Sequence, residues 1–395
     1  MSPFRLSRPV QIFWSTLLAL SLLASCGGVD SGGTGAAAVA VGPINGFGSI
    51  VVNGVRFDDS TAVIQDDDGT ARGRDQLRLG MQTEVDASRF AVTAGKASAT
   101  ASLIRIVSDI VGPAGAVDAA AGTLTVLEQT VVVTSATLFD AGLLGGLASV
   151  AAGTVVEVHG RYDAARGRYT ATRIDPRPGA ALYKLRGLVS AVDRTAKTLI
   201  VGGQTISYAQ LGAAADANVV VGKFVRAKLQ VMPAGGVWIA SALEAGALQL
   251  PDRDDAQVEG RISAWTSSRQ FSVDGIPVDA SGATFSGNET EAVLGARVEV
   301  EGTSSGGVLR ARVVKLEGEE SESNSSFELH GAIDTLDASA KTFTLRGVTI
   351  DYSGSVQFES GGPADLAVGR RVQVQGTPSS DGQRIRALSI SFEGS

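Results

Sequence analysis

The chain is poor in the residues that most often do chemistry. It holds 1 cysteine and 2 histidines among 395 residues, so it can build neither a disulfide framework nor a Cys/His metal set. No His-Glu-x-x-His, Cys-x-x-Cys or Gly-x-x-x-x-Gly-Lys pattern occurs, which removes three common metalloprotease, redox and phosphate-cradling signatures. His159 and His330 each precede a glycine, far apart in sequence, and read as satisfied or surface groups. Aromatic residues make up 5 % and charged residues 19 %, so any core depends on Val, Leu, Ile and Ala. Net charge is −7 and the sequence pI about 5.1. Nucleic-acid channels need a basic groove and stacking aromatics, so no nucleic-acid partner is expected. Neither a cofactor nor an enzymatic activity is expected.

Glycine is abundant, 49 residues, in a chain that is 44 % hydrophobic. That is too apolar for disorder. One phrase recurs through it: Leu294-Gly295-Ala296-Arg297-Val298-Glu299-Val300-Glu301-Gly302, again at Val368–Gly376 and Ala152–Gly160, and more loosely from Leu79 and Val221. Five copies about seventy residues apart mean one small unit built five times. Counting from the first glycine, positions +3 and +5 are apolar and +4 is polar. Period-two alternation therefore buries Val298 and Val300 and turns Glu299 outward, where it and its equivalents are expected to be solvated. Burying each valine contributes about 1.5–3 kcal/mol.

Around the phrase each unit reads strand, strand, strand, short link, strand, strand. Ile50–Phe57 carries Asn53-Gly54, a strong hairpin signal. Gly203–Tyr208, Gly275–Asp279 and Gly347–Tyr352 follow glycine turns with alternating apolar residues. Five antiparallel strands with the break after the third is the order of the OB-like barrel. The expected fold is therefore all-β, five tandem small five-stranded barrels arranged as beads on a string, with small β-sandwiches as the alternative. The expected units are 42–110, 111–176, 185–246, 257–318 and 328–394. Leu250–Asp255 and the acidic stretch after Glu317 are expected to be exposed linkers.

The N-terminus reads as an address. Arg5 and Arg8 precede an uncharged apolar run, Val10–Ala24, too short to span a bilayer comfortably. Leu23-Ala24-Ser25-Cys26 resembles the bacterial lipobox, which implies lipidation of Cys26 and removal of residues 1–25 from a leader segment spanning 1–26. An ordinary secretory leader with an incidental cysteine is the alternative. Multiple acyl chains anchor stably where one does not. Gly27 just after the cysteine favours the outer membrane, so the expected address is the cell envelope, facing periplasm or surface. Residues 27–41, rich in Gly and Ala, read as a tether. Losing Arg5 and Arg8 takes the net charge from −7 to −9.

The repeated head, the glycine-turn third strand and the closing Leu-x-x-Gly-x-x-Val-x-Val-x-Gly resemble the bacterial family described as domain of unknown function 5666. Its members are commonly exported proteins or lipoproteins with several copies. The resemblance covers nearly all of the chain after the tether. It is poorest in unit one and in unit three's phrase, where Ala227 and Lys228 stand where Val and a polar residue are usual. It implies no activity and no site residues. Asp66, Asp67 and Asp68 form the one carboxylate cluster that invites a metal. The loop lacks EF-hand spacing, so it reads as a turn with solvated charges or a weak divalent-cation site. Tyr162, Tyr169, Tyr183, Tyr208, Tyr352, Trp238 and Trp265 are the stacking candidates for a glycan or peptide, against a role in packing. The expected function is a non-enzymatic envelope lipoprotein with a structural or interaction role. A binding module for a glycan, peptide or divalent cation is the alternative.

Overall fold

The computed structural model describes residues 37–248, 250–318 and 326–393. The leader, Cys26, most of the expected tether and the acidic residues 319–325 lie outside them. Each copy of the phrase starts a fourth strand, and the five leading glycines, Gly80, Gly153, Gly222, Gly295 and Gly369, have φ between +81° and +84°. That backbone suits glycine and is unfavourable for other residues. Val156, Val158, Val298, Val300, Val372 and Val374 are fully buried.

The units are closed barrels. In repeat four the first strand, Arg253–Ser267, pairs with Gln270–Val273 on one side and with Arg297–Ser305 on the other. Gln270–Val273 pairs with Ile276–Asp279, which runs parallel to Val308–Glu317. That last strand pairs with Arg297–Ser305 and completes the ring. Repeats one, two and three close in the same order. Repeat five does so with its first strand divided into Phe327–Ala332 and Thr335–Asp337. Closure leaves few free sheet edges. The link before each phrase carries a short 3₁₀ segment, as at Gly146–Ser149 and Glu289–Glu291, and in repeats one, two, four and five also a short strand that runs parallel to the last strand, as at Thr284–Ser286. The phrase's last glycine sits at a bulge: register shifts at Gly160, Gly302 and Gly376. A Cβ at Gly302 would run into the Arg310 carbonyl.

The barrels are as expected, but they are not strung beads. Residues 36–395 form one compact unit. Repeat one's first strand, Ala38–Phe47, pairs in parallel with repeat four, Ala38 to Asp255 through Val41 to Val258. It then pairs with repeat five at Gly46–Glu328 and Phe47–Leu329. Repeat two's Ile110 and Val111 pair with Leu185 and Lys184 of repeat three. Apolar cores follow these joints. One runs through repeats one and five, a second through two and three, and a third combines repeat four with Val39 and Val41 of repeat one. Non-neighbours in sequence thus share cores, where independent beads would touch only in passing.

Two boundaries move for the same reason. Ala38–Val41, expected as tether, is buried strand. Repeat four starts at Arg253, so the expected linker Leu250–Asp255 is half strand, and Leu250 is 4 % exposed. The outward phrase positions are not solvated either. Glu84 and Glu157 are 4 % and 7 % exposed, because the outer wall of one barrel is covered by the next. Glu84 pairs with Arg105, and Glu157 accepts from Ser108.

Candidate functional site

The second and third strands of each barrel meet in a two-residue turn. At Asn53-Gly54, Leu127-Glu128, Asp274-Gly275 and Arg346-Gly347 both residues have positive φ, the geometry that matches strand twist; in repeat three Gly202 alone does. The first residue of this tip changes from repeat to repeat, and so does its use. The Asn53 side-chain amide donates to the Val41 carbonyl at 2.9 Å, and the Asn53 backbone carbonyl accepts from Gln257 of repeat four at 3.1 Å. Leu127 is buried. Gln129 of repeat two reaches repeat three beside Gly202, donating to the Val201 carbonyl at 3.0 Å. Asp274 and Arg346 lead to the two regions where ionisable groups converge.

The Asp274 tip lies in a junction of repeats two, three and four. Glu259 binds Arg161 of repeat two and Arg297 of its own barrel, each at 2.6 Å, with all three side chains at most 10 % exposed. Burial alone would raise the Glu259 carboxyl, but Arg161 and Arg297 outweigh it and hold it below its usual range. Asp109 accepts from the Gly160 amide at 3.0 Å and faces Arg186 at 3.5 Å. Arg186 also donates to the Gly246 carbonyl at 2.7 Å. Asp274 is half-buried at the turn, yet its Oδ1 is enclosed with no hydrogen-bond partner. Burial, followed by the Asp109 charge, pushes its carboxyl up to about 7 against the pull of Arg161 and Arg186. Burial also raises Asp109, against the pull of Arg186 and the Gly160 amide. The cavity beside them is about 30 Å³, the size of one water rather than a ligand.

In the Asp66–Asp68 loop Asp66 is buried and Asp68 exposed, and every carboxylate is engaged by protein cations. Asp67 binds Lys184 at 2.5 Å and Arg226 at 2.7 Å, and Asp68 binds Lys184 at 2.6 Å and Lys228 at 2.9 Å. Burial opposes ionisation of Asp68, but hydrogen bonds from Lys184 and Lys228 hold its carboxyl down to about 2. Asp66 takes Arg72 at 2.7 Å and the amides of Asp68 and Thr70. The three carboxylates converge within 4.8 Å, yet a divalent cation would have to displace protein cations already there. The loop plugs repeat one into repeat three. This also explains repeat three's departure from the phrase: Arg226 and Lys228 occupy alternate outward positions that meet the acidic loop.

The two histidines lie in separate repeats. His159 is enclosed, with Nδ1 2.7 Å from the Val107 carbonyl and Nε2 3.9 Å from Glu157. His330 lies 3.1 Å from both Glu328 and Glu393 and 2.6 Å from Arg56. Tyr162, Tyr169, Tyr208 and Tyr352 are buried, Tyr183 packs edge-on against Trp238, and Trp265 is 47 % exposed while donating to the Ala292 carbonyl. Gly302–Gly306 has the Gly-x-Ser-x-Gly spacing, which the motif reading passed over. Its Ser304 lies within a strand, not at a strand-to-helix turn, and donates to the Pro251 carbonyl.

The Arg346 tip opens on a cleft of about 580 Å³ between repeats one, two and five, within the range of small-molecule sites. Phe47, Leu79, Leu138, Phe139 and Ile385 supply apolar walls. Five arginines and three aspartates line it, so its local charge is +2 on an acidic protein. Arg74 is taken by Asp59, and Arg173 by Asp175. The turn after repeat five's phrase shapes one side: Gly382 accepts from the Phe139 amide, and Gln383 donates to the Leu143 carbonyl at 2.9 Å. Sequence reading missed this cleft because its residues come from three repeats.

The family model for "Domain of unknown function (DUF5666)" matches residues 111–175, 186–244, 259–315 and 330–391. The chain belongs to this family. Repeat one, outside those ranges, has the same closed barrel and is a divergent fifth copy. No curated protein matches the chain. Among solved structures, "drosophila Unr CSD456" is matched at 12 % identity over 54 % of this chain and 98 % of that one, with a TM-score of 0.14, too low to bear on this molecule.

Proposed function

We propose that the protein is a non-enzymatic, lipid-anchored protein of the cell envelope whose folded body serves as a rigid interaction platform. The observation that carries the reading is the use made of its enclosed charges. Glu259, Arg161, Arg297, Asp109, Arg186, Asp67 and Lys184 weld barrels together, and the space among the central group is too small for a substrate. Charge that would otherwise serve chemistry is committed to holding barrels in fixed register. The lipobox-like Leu23–Cys26 and the glycine-rich residues after it supply the anchor and the tether, and the membrane is the first partner. Replacing Cys26 with Ser and fractionating cells tests the anchor. The wild-type chain is expected in the membrane pellet and the Cys26→Ser chain in the soluble fraction; a variant that stays in the pellet overturns the anchor.

A further inference from the structure

We propose that the cleft between repeats one, two and five binds a small amphiphilic anion, a single carboxylate or phosphate head on an apolar body, through Arg346, Arg384 and Arg78. The site does not depend on whether Cys26 is lipidated.

Three observations converge. First, the repeat-five tip is exposed where its equivalents are occupied. Asn53 and Leu127 are buried, Gly202 is met by Gln129, and Asp274 reaches the central junction, but the Arg346 side chain is exposed at the cleft over the Phe47 ring, 5.9 Å from guanidinium carbon to ring centre, while its backbone amide donates to Asp334. Secondly, among the described residues no carboxylate lies within ion-pair distance of Arg346 or Arg384, and Arg78 is held by the backbone carbonyls of Asp75 and Leu77. Three cations on one rim outside any described ion pair attract an anion, even with Asp351 and Asp381 close enough to feel Arg384, and the guanidinium fork matches carboxylate and phosphate geometry. Thirdly, the wall beneath this rim is apolar, lined by Phe47, Leu79, Leu138, Phe139 and Ile385. A bare inorganic anion would leave that wall unused, and a neutral hydrocarbon would leave the guanidinium groups unused. A ligand with both parts uses the whole cleft.

The experiment is titration calorimetry on the full chain carrying Cys26→Ser, so that no attached lipid competes. The probes are decanoate, decyl phosphate, decanol, decyltrimethylammonium and inorganic phosphate, each below any micelle-forming concentration. At least one of decanoate and decyl phosphate is expected to bind at least tenfold more tightly than decanol, decyltrimethylammonium and inorganic phosphate. Whichever binds tighter identifies the head group. The double variant Arg346→Glu, Arg384→Glu is expected to weaken that binding at least tenfold while melting at the wild-type temperature, since both residues are exposed. Equal binding of the cationic or neutral probe, or unchanged anion binding by the double variant, overturns the proposal. A double variant that melts early is replaced by Arg346→Gln alone, read by the same loss.

Discussion

Asp274 and Arg346 occupy the same position of the same turn in consecutive repeats, yet one is sealed into a three-barrel junction and the other faces an open cleft. Their backbones are nearly superposable, with φ of 46° and 53°. The difference lies in what the neighbouring barrels bring. Around Asp274, repeats two and three supply Arg161, Arg186 and Asp109, and the cavity closes to about 30 Å³. Around Arg346, repeats one and two supply Phe47 and Phe139 but, among the described residues, no carboxylate within ion-pair distance, and about 580 Å³ stays open. Repetition builds the barrel, and the variable tip decides whether a given barrel is cemented or left available.

The largest effect should come from breaking the junction. Glu259→Ala removes the buried carboxylate that Arg161 and Arg297 share, and removing one partner of a buried pair costs about 3–5 kcal/mol. A urea midpoint lowered accordingly is expected, and an unchanged midpoint would mean the pairs are not structural. The next effect is a pH dependence. An unfolded aspartate titrates near 4, whereas Asp274 in the native protein titrates at about 7. Between those values the native state keeps a proton that the unfolded chain has lost. Stability therefore falls as pH rises across this window, by at most about 1.4 kcal/mol per pH unit. Asp274→Asn should flatten the melting profile from pH 5 to 7 and raise the melting temperature above pH 7. A slope equal to wild type would place the proton elsewhere. The smallest effect is expected at the matching tip: Arg346→Ala should shift stability by less than about 1 kcal/mol, the scale of an exposed cation–π contact, as read from thermal melts. A loss as large as that of Glu259→Ala would erase the distinction between the two regions.

The barrel itself was legible because its signals are local. Each leading glycine needs its positive φ, each Val-x-Val buries one face, and Asn53-Gly54 announces its hairpin. What escaped was non-local. Ala38–Val41 reads as tether because small residues resemble linker, and its pairing partners begin more than two hundred residues later at Asp255. Glu84 and Glu157 read as solvated because alternation separates the inside of a barrel from its outside but cannot say which outside meets a neighbour. Asp67 and Asp68 invited a metal for the same reason: Lys184, Arg226 and Lys228 lie in another repeat. That the Arg346 tip faces a cleft could be recognised only once the other four had been placed.

The central claim, that repeats distant in sequence are joined strand to strand, can be tested by one cross-link. The chain has a single cysteine, so Cys26→Ser gives a clean background for Ala38→Cys with Asp255→Cys, a directly paired position between repeats one and four. Paired strands bring Cα atoms within the roughly 4.4–6.8 Å that a disulfide spans. Mild oxidation of the full chain should give a reducible intramolecular band of altered mobility and consume both thiols. Two thiols that remain fully reactive under those conditions would contradict the closed body and return the repeats to independent beads.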